Sequence, residues 1–179
     1  FARFICLIVM HYAELHCISN FSFLRGASHP RELIETAATL GYRALAISDE
    51  CSLSGIVQAH ITAQELGIEL IVGSELFLEE GDHVVVLVTN RQAYSELSAL
   101  ITLARRRCEK GHYRCSRRDL QANLKHCLLI WKADNAELPD DIDQWCEWAR
   151  SFEDRFYIGF SLYRDGSDAA RYRCALRLQ

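Results

Sequence analysis

Several things are scarce in this 179-residue chain, and each scarcity excludes something. No CxxC pair and no zinc-finger spacing occurs among its eight cysteines, at positions 6, 17, 51, 108, 115, 127, 146 and 174. Several of them lie in apolar segments, as buried reduced thiols do. That argues for a reducing cytoplasm and against a disulfide framework. Net positive charge is absent: 20 Lys and Arg against 24 Asp and Glu give −4. No overall positive field therefore draws the chain to nucleic acid or membrane. The most apolar run, "FARFICLIVM", has ten residues and is too short to span a bilayer, and no small-residue cleavage site follows it. Low-complexity tracts and internal repeats are missing. The two prolines, Pro30 and Pro139, both stand where helices can begin.

What is present suits one globular domain with a sizeable core: half the residues are hydrophobic and a quarter charged. Residues 1–10 are read as an extraneous segment, with Met10 as the natural start and 11–179 as the domain. "YAELHC" alternates like a short strand. "HPRELIETAATLGY" reads as a helix with Pro30 in its first turn, an apolar stripe of Leu33, Ala37 and Leu40, and Gly41 as its stop. "RALAIS", "IELIVGSELFL", "HVVVLVT", "HCLLIW" and "FYIGFSLY" read as further strands. "LSGIVQAHITAQELG", "RQAYSELSALITLARRR", "DIDQWCEWARSF" and "SDAARYRCALRLQ" read as helices. Strands alternating with helices predict parallel strands with helical crossovers, in an open sheet or a barrel. Function then sits at the strands' carboxyl ends, which carry His16, Asp49, Glu75 and Thr89–Asn90.

The stretches "YAELHCISNFSFLRGASHP", "GYRALAISDECSLSGIVQAH" and "GIELIVGSELFL" resemble the N-terminal region of bacterial error-prone DNA polymerases, relatives of the DNA polymerase III alpha subunit. "LITLARRRCEKGHYRCSRRDL", "CLLIW" and "RFYIGFSLYRDGSDAARYRCALRLQ" continue the likeness, which covers about residues 11 to 179. In that family the region is the PHP (polymerase and histidinol phosphatase) domain. The fold expected by resemblance is therefore α/β, a PHP-type distorted (β/α)7 barrel, incomplete at its C-terminal end. An incomplete barrel leaves a strand edge unpaired, so marginal stability or self-association is expected of this chain.

An intact PHP site resembles a cluster of two or three divalent metals that activate a water against a phosphoester. Its HxH motif puts two imidazoles on one strand face. Here the first is His16, and Ile18, with no lone pair, holds the second position. Arg25 stands before Gly26, where some PHP domains carry an acid, and a guanidinium repels a cation. Asp49–Glu50 replaces an Asp–His pair, with glutamate suited to a hard ion. Glu75 in "GSE" and His83 at a strand opening match further ligands. The Cys or His expected near "WKAD" is missing, and the final Asp-Xaa-His would lie past Gln179. By resemblance His16, Asp49, Glu50, Glu75 and His83 are the metal candidates of a dismantled site. No stoichiometric cofactor is expected, with room for a divalent ion such as zinc, manganese or magnesium.

The same residues have plain structural readings: His16 as a buried hydrogen-bonded histidine, Asp49 and Glu75 as caps or loop acids, His83 as a structural strand residue. His29 and His60 read as surface or cap residues. No catalytic residue is assigned, because no histidine–carboxylate pair is placed to activate Ser22 or Cys17. A basic cluster, Arg105, Arg106, Arg107, Lys110, Arg114, Arg117 and Arg118, holds one acid, Glu109. It is a candidate contact for nucleic acid or another domain; the plain reading is a solvated helix end, and the acid-rich stretch 134–154 could pair with it.

The expected role by resemblance is a non-catalytic domain packed against the palm, thumb and fingers of an error-prone DNA-directed DNA polymerase. That parent would serve DNA replication, damage-induced translesion synthesis and repair in the cytoplasm, contact DNA, and have no membrane association. The rival is a metal-dependent phosphoesterase or 3′–5′ exonuclease of the PHP family. A truncated reading frame with no independent role is the third reading.

Overall fold

The computed structural model describes residues 12–134, 139–164 and 166–178. The expected extraneous segment 1–10 lies outside them. Six strands form one sheet in sequential order: β1 (Ala13–Cys17), β2 (Ala44–Ile47), β3 (Glu69–Phe77), β4 (His83–Leu87), β5 (Leu128–Lys132) and β6 (Phe156–Gly159). The sheet curls into half a barrel, with β1 and β6 as its outer strands. Helices α1 (Pro30–Thr39), α2 (Ile56–Leu66), α3 (Arg91–Arg106), α4 (Arg117–Asn123), α5 (Ile142–Arg150) and α6 (Asp168–Arg177) complete the fold. No described helix is long and apolar enough to cross a membrane, and the seven described cysteines are free thiols.

The strands are not all parallel. β1, β2 and β3 run together, β4 runs against both β3 and β5, and β5 pairs in parallel with β6. The reason is the length of the link between β3 and β4. Residues 78–82, "LEEGD", are too few for a crossover but enough for a hairpin. Gly81 takes φ +90° there, and the Leu78 N–H donates to the Asp82 carbonyl at 2.8 Å. Consequently the start of β4 meets the ends of β3 and β5 at one rim. Thr89–Asn90, expected at a functional strand end, lie at the opposite rim. There Asn90 caps α3, accepting from the N–H groups of Gln92 and Ala93.

After His83, "VVVL" is continuously apolar because both faces of β4 are covered. Val84 and Val86 pack with Leu97, Leu100, Leu120, Leu129 and Trp145 under α3, α4 and α5. Val85 and Leu87 face the other side with Ala46, Ile71 and Ile130. A second helix-side cluster joins α1 and α2 to β2 through Ile34, Ala37, Ile47, Ile56 and Ala59. The buried stripe of α1 is Pro30, Ile34 and Ala37, rotated from the one expected, and Leu40 is exposed. His29 sits at the N-cap of α1, its backbone N–H donating to Glu32 at 2.8 Å, and His60 is exposed. Helix α4 was not expected. Ser116 opens it in a reciprocal capping box with Asp119, inside what reads in sequence as a run of cations.

Candidate metal centre

Glu75 is the centre of the rim. It stands on β3, its side chain fully buried. Its Oε2 accepts from His16 Nε2 at 2.7 Å and from His83 Nε2 at 3.0 Å. Its Oε1 pairs with the Arg25 guanidinium. Arg25 also reaches Glu50 Oε2 at 2.9 Å, and Glu50 Oε1 accepts from the Tyr113 hydroxyl at 3.1 Å. His83 Nδ1 faces Asp134 Oδ2 at 2.6 Å. Lys132 Nζ donates to His16 Nδ1 at 3.2 Å.

These partners decide where protons sit. Both nitrogens of His83 face carboxylate oxygens, so both must donate and the ring is an imidazolium. Lys132 has only donors, so His16 Nδ1 accepts and the His16 proton is on Nε2. Burial works against the imidazolium, yet the hydrogen bonds to Asp134 and Glu75 outweigh it and raise the His83 pKa. Burial would lift the Glu75 carboxyl, but hydrogen bonds from His16 and His83 hold it well below the carboxylate range. Asp134 is treated likewise: desolvation raises it, but His83, Lys132 and Tyr163 together lower it further, to about 2.

A pH dependence follows. The lowered Asp134 contributes stability that is complete above its unfolded value of about 4 and lost as pH falls through about 2. The raised His83 contributes fully below its unfolded value of about 6.5, and this is lost as pH rises through its higher folded pKa. The pair therefore stabilises most between about pH 4 and pH 6.5. Melts across pH should show that rise and fall, and H83Q should flatten it. An unchanged profile in H83Q would refute the assignment.

Of the five ligand candidates, three converge. One ligand atom each from His16, Glu75 and His83 lie within 4.8 Å of one another, a set that could hold a metal ion. Glu50 stands beside them through Arg25 and forms an isolated bridge with Glu75. Asp49 is placed otherwise. It is 1% exposed, and its oxygens accept from the Ser19 N–H and hydroxyl and from the Ser22 hydroxyl, at 2.7–2.8 Å. With its lone pairs directed at two serines, it fixes the loop 19–28. That loop needs Gly26, whose Cβ would stand 1.9 Å from the Ser19 carbonyl oxygen.

A two- or three-metal cluster does not fit this donor set. Ile18 offers nothing, Asp49 is engaged on both oxygens by Ser19 and Ser22, and Arg25 holds one oxygen of Glu75. The histidine nitrogens facing Glu75 carry protons that an ion would have to displace. One divalent ion on His16, Glu75 and His83 is the most these residues suit, and it would supply Lewis acidity at the rim.

Lys132, Asp134, Tyr113 and Tyr163, whose hydroxyl donates to Asp134 at 2.9 Å, belong to the network and were not found from sequence. The signal for Lys132 and Asp134 lies in "WKAD", at the carboxyl end of β5, where the residue types differ from the Cys or His that the PHP pattern carries.

The basic cluster is mostly spent within the chain. Arg107 forks onto Asp119 at 2.7 and 2.9 Å, and Arg114 pairs with Glu79 at 2.6 Å. Arg117 pairs with Asp82 and Asp141, the latter from the acid-rich stretch. Arg105 donates to the Glu50 and Cys51 carbonyls. Arg106, Lys110 and Arg118 form no ion pair among the described residues. These placements account for most of a charge run by intramolecular contacts.

The family pattern of the PHP domain matches residues 14–160, and the chain belongs to that family. Its fold is like that of a Bifidobacterium adolescentis protein described as a metal-dependent phosphoesterase, with a TM-score of 0.68 over 94% of this chain and 83% of the other at 16% identity. Among curated proteins it is similar to the error-prone DNA polymerases of Methylococcus capsulatus and Pseudomonas aeruginosa, each 51% identical over 162 residues and 89% of this chain. That of Alkalilimnicola ehrlichii is 48% identical over 167 residues. The chain spans about 15% of the length of these relatives.

Proposed function

We propose that this chain is the N-terminal PHP domain of an error-prone DNA-directed DNA polymerase, serving as a cytoplasmic scaffold for the polymerase core in replication, repair and translesion synthesis. The observation that carries this reading is the identity of about half over nearly the whole chain to curated error-prone DNA polymerases. The scaffold role is supported by the donor set, in which carboxylates and histidines are hydrogen-bonded to one another and to Arg25. The polymerase would extend a primer with deoxynucleoside triphosphates and magnesium held by palm carboxylates. Arg106, Lys110 and Arg118 are the surface we assign to contact with the other polymerase domains.

Two measurements test the proposal. The purified chain, given a primed template, deoxynucleotides and Mg2+, should incorporate nothing, and given a 3′-labelled oligonucleotide and Mn2+ should shorten nothing. The coding frame should continue past the Gln179 codon into polymerase domains; its closure there would overturn the assignment. The second reading, a phosphoesterase or exonuclease, draws on the His16–Glu75–His83 trio and the likeness in fold. Mn2+-dependent shortening abolished by H83A would establish it in place of the scaffold.

A further inference from the structure

We propose that Arg25 is the built-in cation of this site, its guanidinium bridging Glu75 and Glu50 beside the place where a divalent ion would bind and keeping the His16–Glu75–His83 trio closed to metal. A buried carboxylate needs a compensating charge. Glu75 is fully buried and points one oxygen at two imidazoles and the other at Arg25. Arginine stays charged at every accessible pH and cannot be removed by dilution or chelation, as a metal can.

The guanidinium is aimed by what surrounds it. Ser22 is tied by its hydroxyl to Asp49, and its carbonyl accepts from the N–H groups of Arg25 and Gly26 at 3.0 and 2.9 Å. Leu24, immediately before, adopts φ +61°, a left-handed turn uncommon for such a residue and tolerated only where its surroundings enforce it. The Arg25 guanidinium lies over the Phe77 ring at 5.0 Å, and that ring stacks on His83 at 4.3 Å. On the far side Tyr113 holds Glu50, accepts from the Phe77 N–H at 3.0 Å, and lies under Arg105 at 5.3 Å. Loop 19–28, β3, β4 and α3 thus meet around one permanent charge. An incoming divalent ion would compete with Arg25 for Glu75 and bring like charge beside it.

This inference deepens the scaffold reading of the same site and rests on it. The test is Mn2+ uptake, read as loss of the free-ion paramagnetic resonance signal; a hard ion avoids the free thiols. A full charge beside a carboxylate changes its affinity for a proton by about tenfold to a thousandfold. R25Q, shown folded by circular dichroism, should therefore take up one equivalent at least about tenfold more tightly than wild type. R25K should stay near wild type, and R25Q/H83A should lose the gain. Wild type binding one equivalent as tightly as R25Q, or folded R25Q gaining nothing, would overturn the proposal. Should R25Q fail to fold, the wild-type melt decides. Excess Mn2+ should leave its midpoint unmoved, and a rise abolished by H83A would refute the inference. Metal uptake by wild type without hydrolysis removes only the role of Arg25. Metal-dependent hydrolysis removes the scaffold reading as well.

Discussion

Replacing Glu75 by alanine is expected to cost the folded chain about 3 kcal/mol, the low end for breaking a buried ion pair because Arg25 and His16 keep some solvent. Three cationic or proton-donating groups lose a shared acceptor at once: Arg25, His16 and the His83 imidazolium. For a chain of this size the melting midpoint should fall by roughly 6–12 °C. E75Q should fall between, since an amide keeps one acceptor oxygen but turns a donor toward Arg25 or the histidines. Urea unfolding of the three proteins measures it. A loss under about 1 kcal/mol for E75A, the size of an ordinary surface pair, would mean that the rim is solvated and not an ion-pair centre.

A comparable loss is expected on the helix side. Arg117 and Asp82 are 9% and 3% exposed, bonded at 2.6 Å through the Arg117 Nε, with Asp141 on a second nitrogen. The guanidinium lies over Trp148 at 5.6 Å, and Asp82 also accepts from the Trp131 indole N–H at 2.8 Å. Arg117→Ala leaves Asp82 buried without its counter-charge and opens a void beside Trp148. It should cost about 3–5 kcal/mol. R117M combined with D82N should cost less than R117A alone, because the charge left unpaired, Asp141, is partly exposed and none remains buried. If the double variant is the less stable of the two, the penalty is packing and not charge.

Much of the fold is legible in the sequence where a local pattern settles it. "HVVVLVT" and "HCLLIW" are buried strands by composition, and Gly67 ends α2 with φ +70° as a glycine C-cap should. The direction of β4 is not settled by such patterns. It follows from the five residues of the hairpin, a matter of connection length that strand and helix periodicity does not register. His16 and Glu75 are legible because residue type and carboxyl-end position coincide, whereas His83, which opens β4, is reached only through the resemblance to PHP domains. Asp49 shares both properties yet faces Ser19 and Ser22, and only the path of the loop 19–28 decides that. The cations at 105–118 mislead for a related reason. The acids that bind them, Glu79, Asp82, Asp119 and Asp141, are spread over some sixty residues. A charge run read along the chain does not reveal partners supplied across it.

The reach between Lys132 and His16 has a kinetic consequence. The two are 116 residues apart, yet their side chains meet at 3.2 Å. Closing so long a loop carries an entropy cost before any contact rewards it, and distant pairings slow folding. The neighbouring-strand contacts can form first, each over a shorter span, while the link from β5 back to β1 waits for the sheet to be laid down. The polar rim is then expected among the last parts to assemble, and its integrity reports that the whole curved sheet is in place.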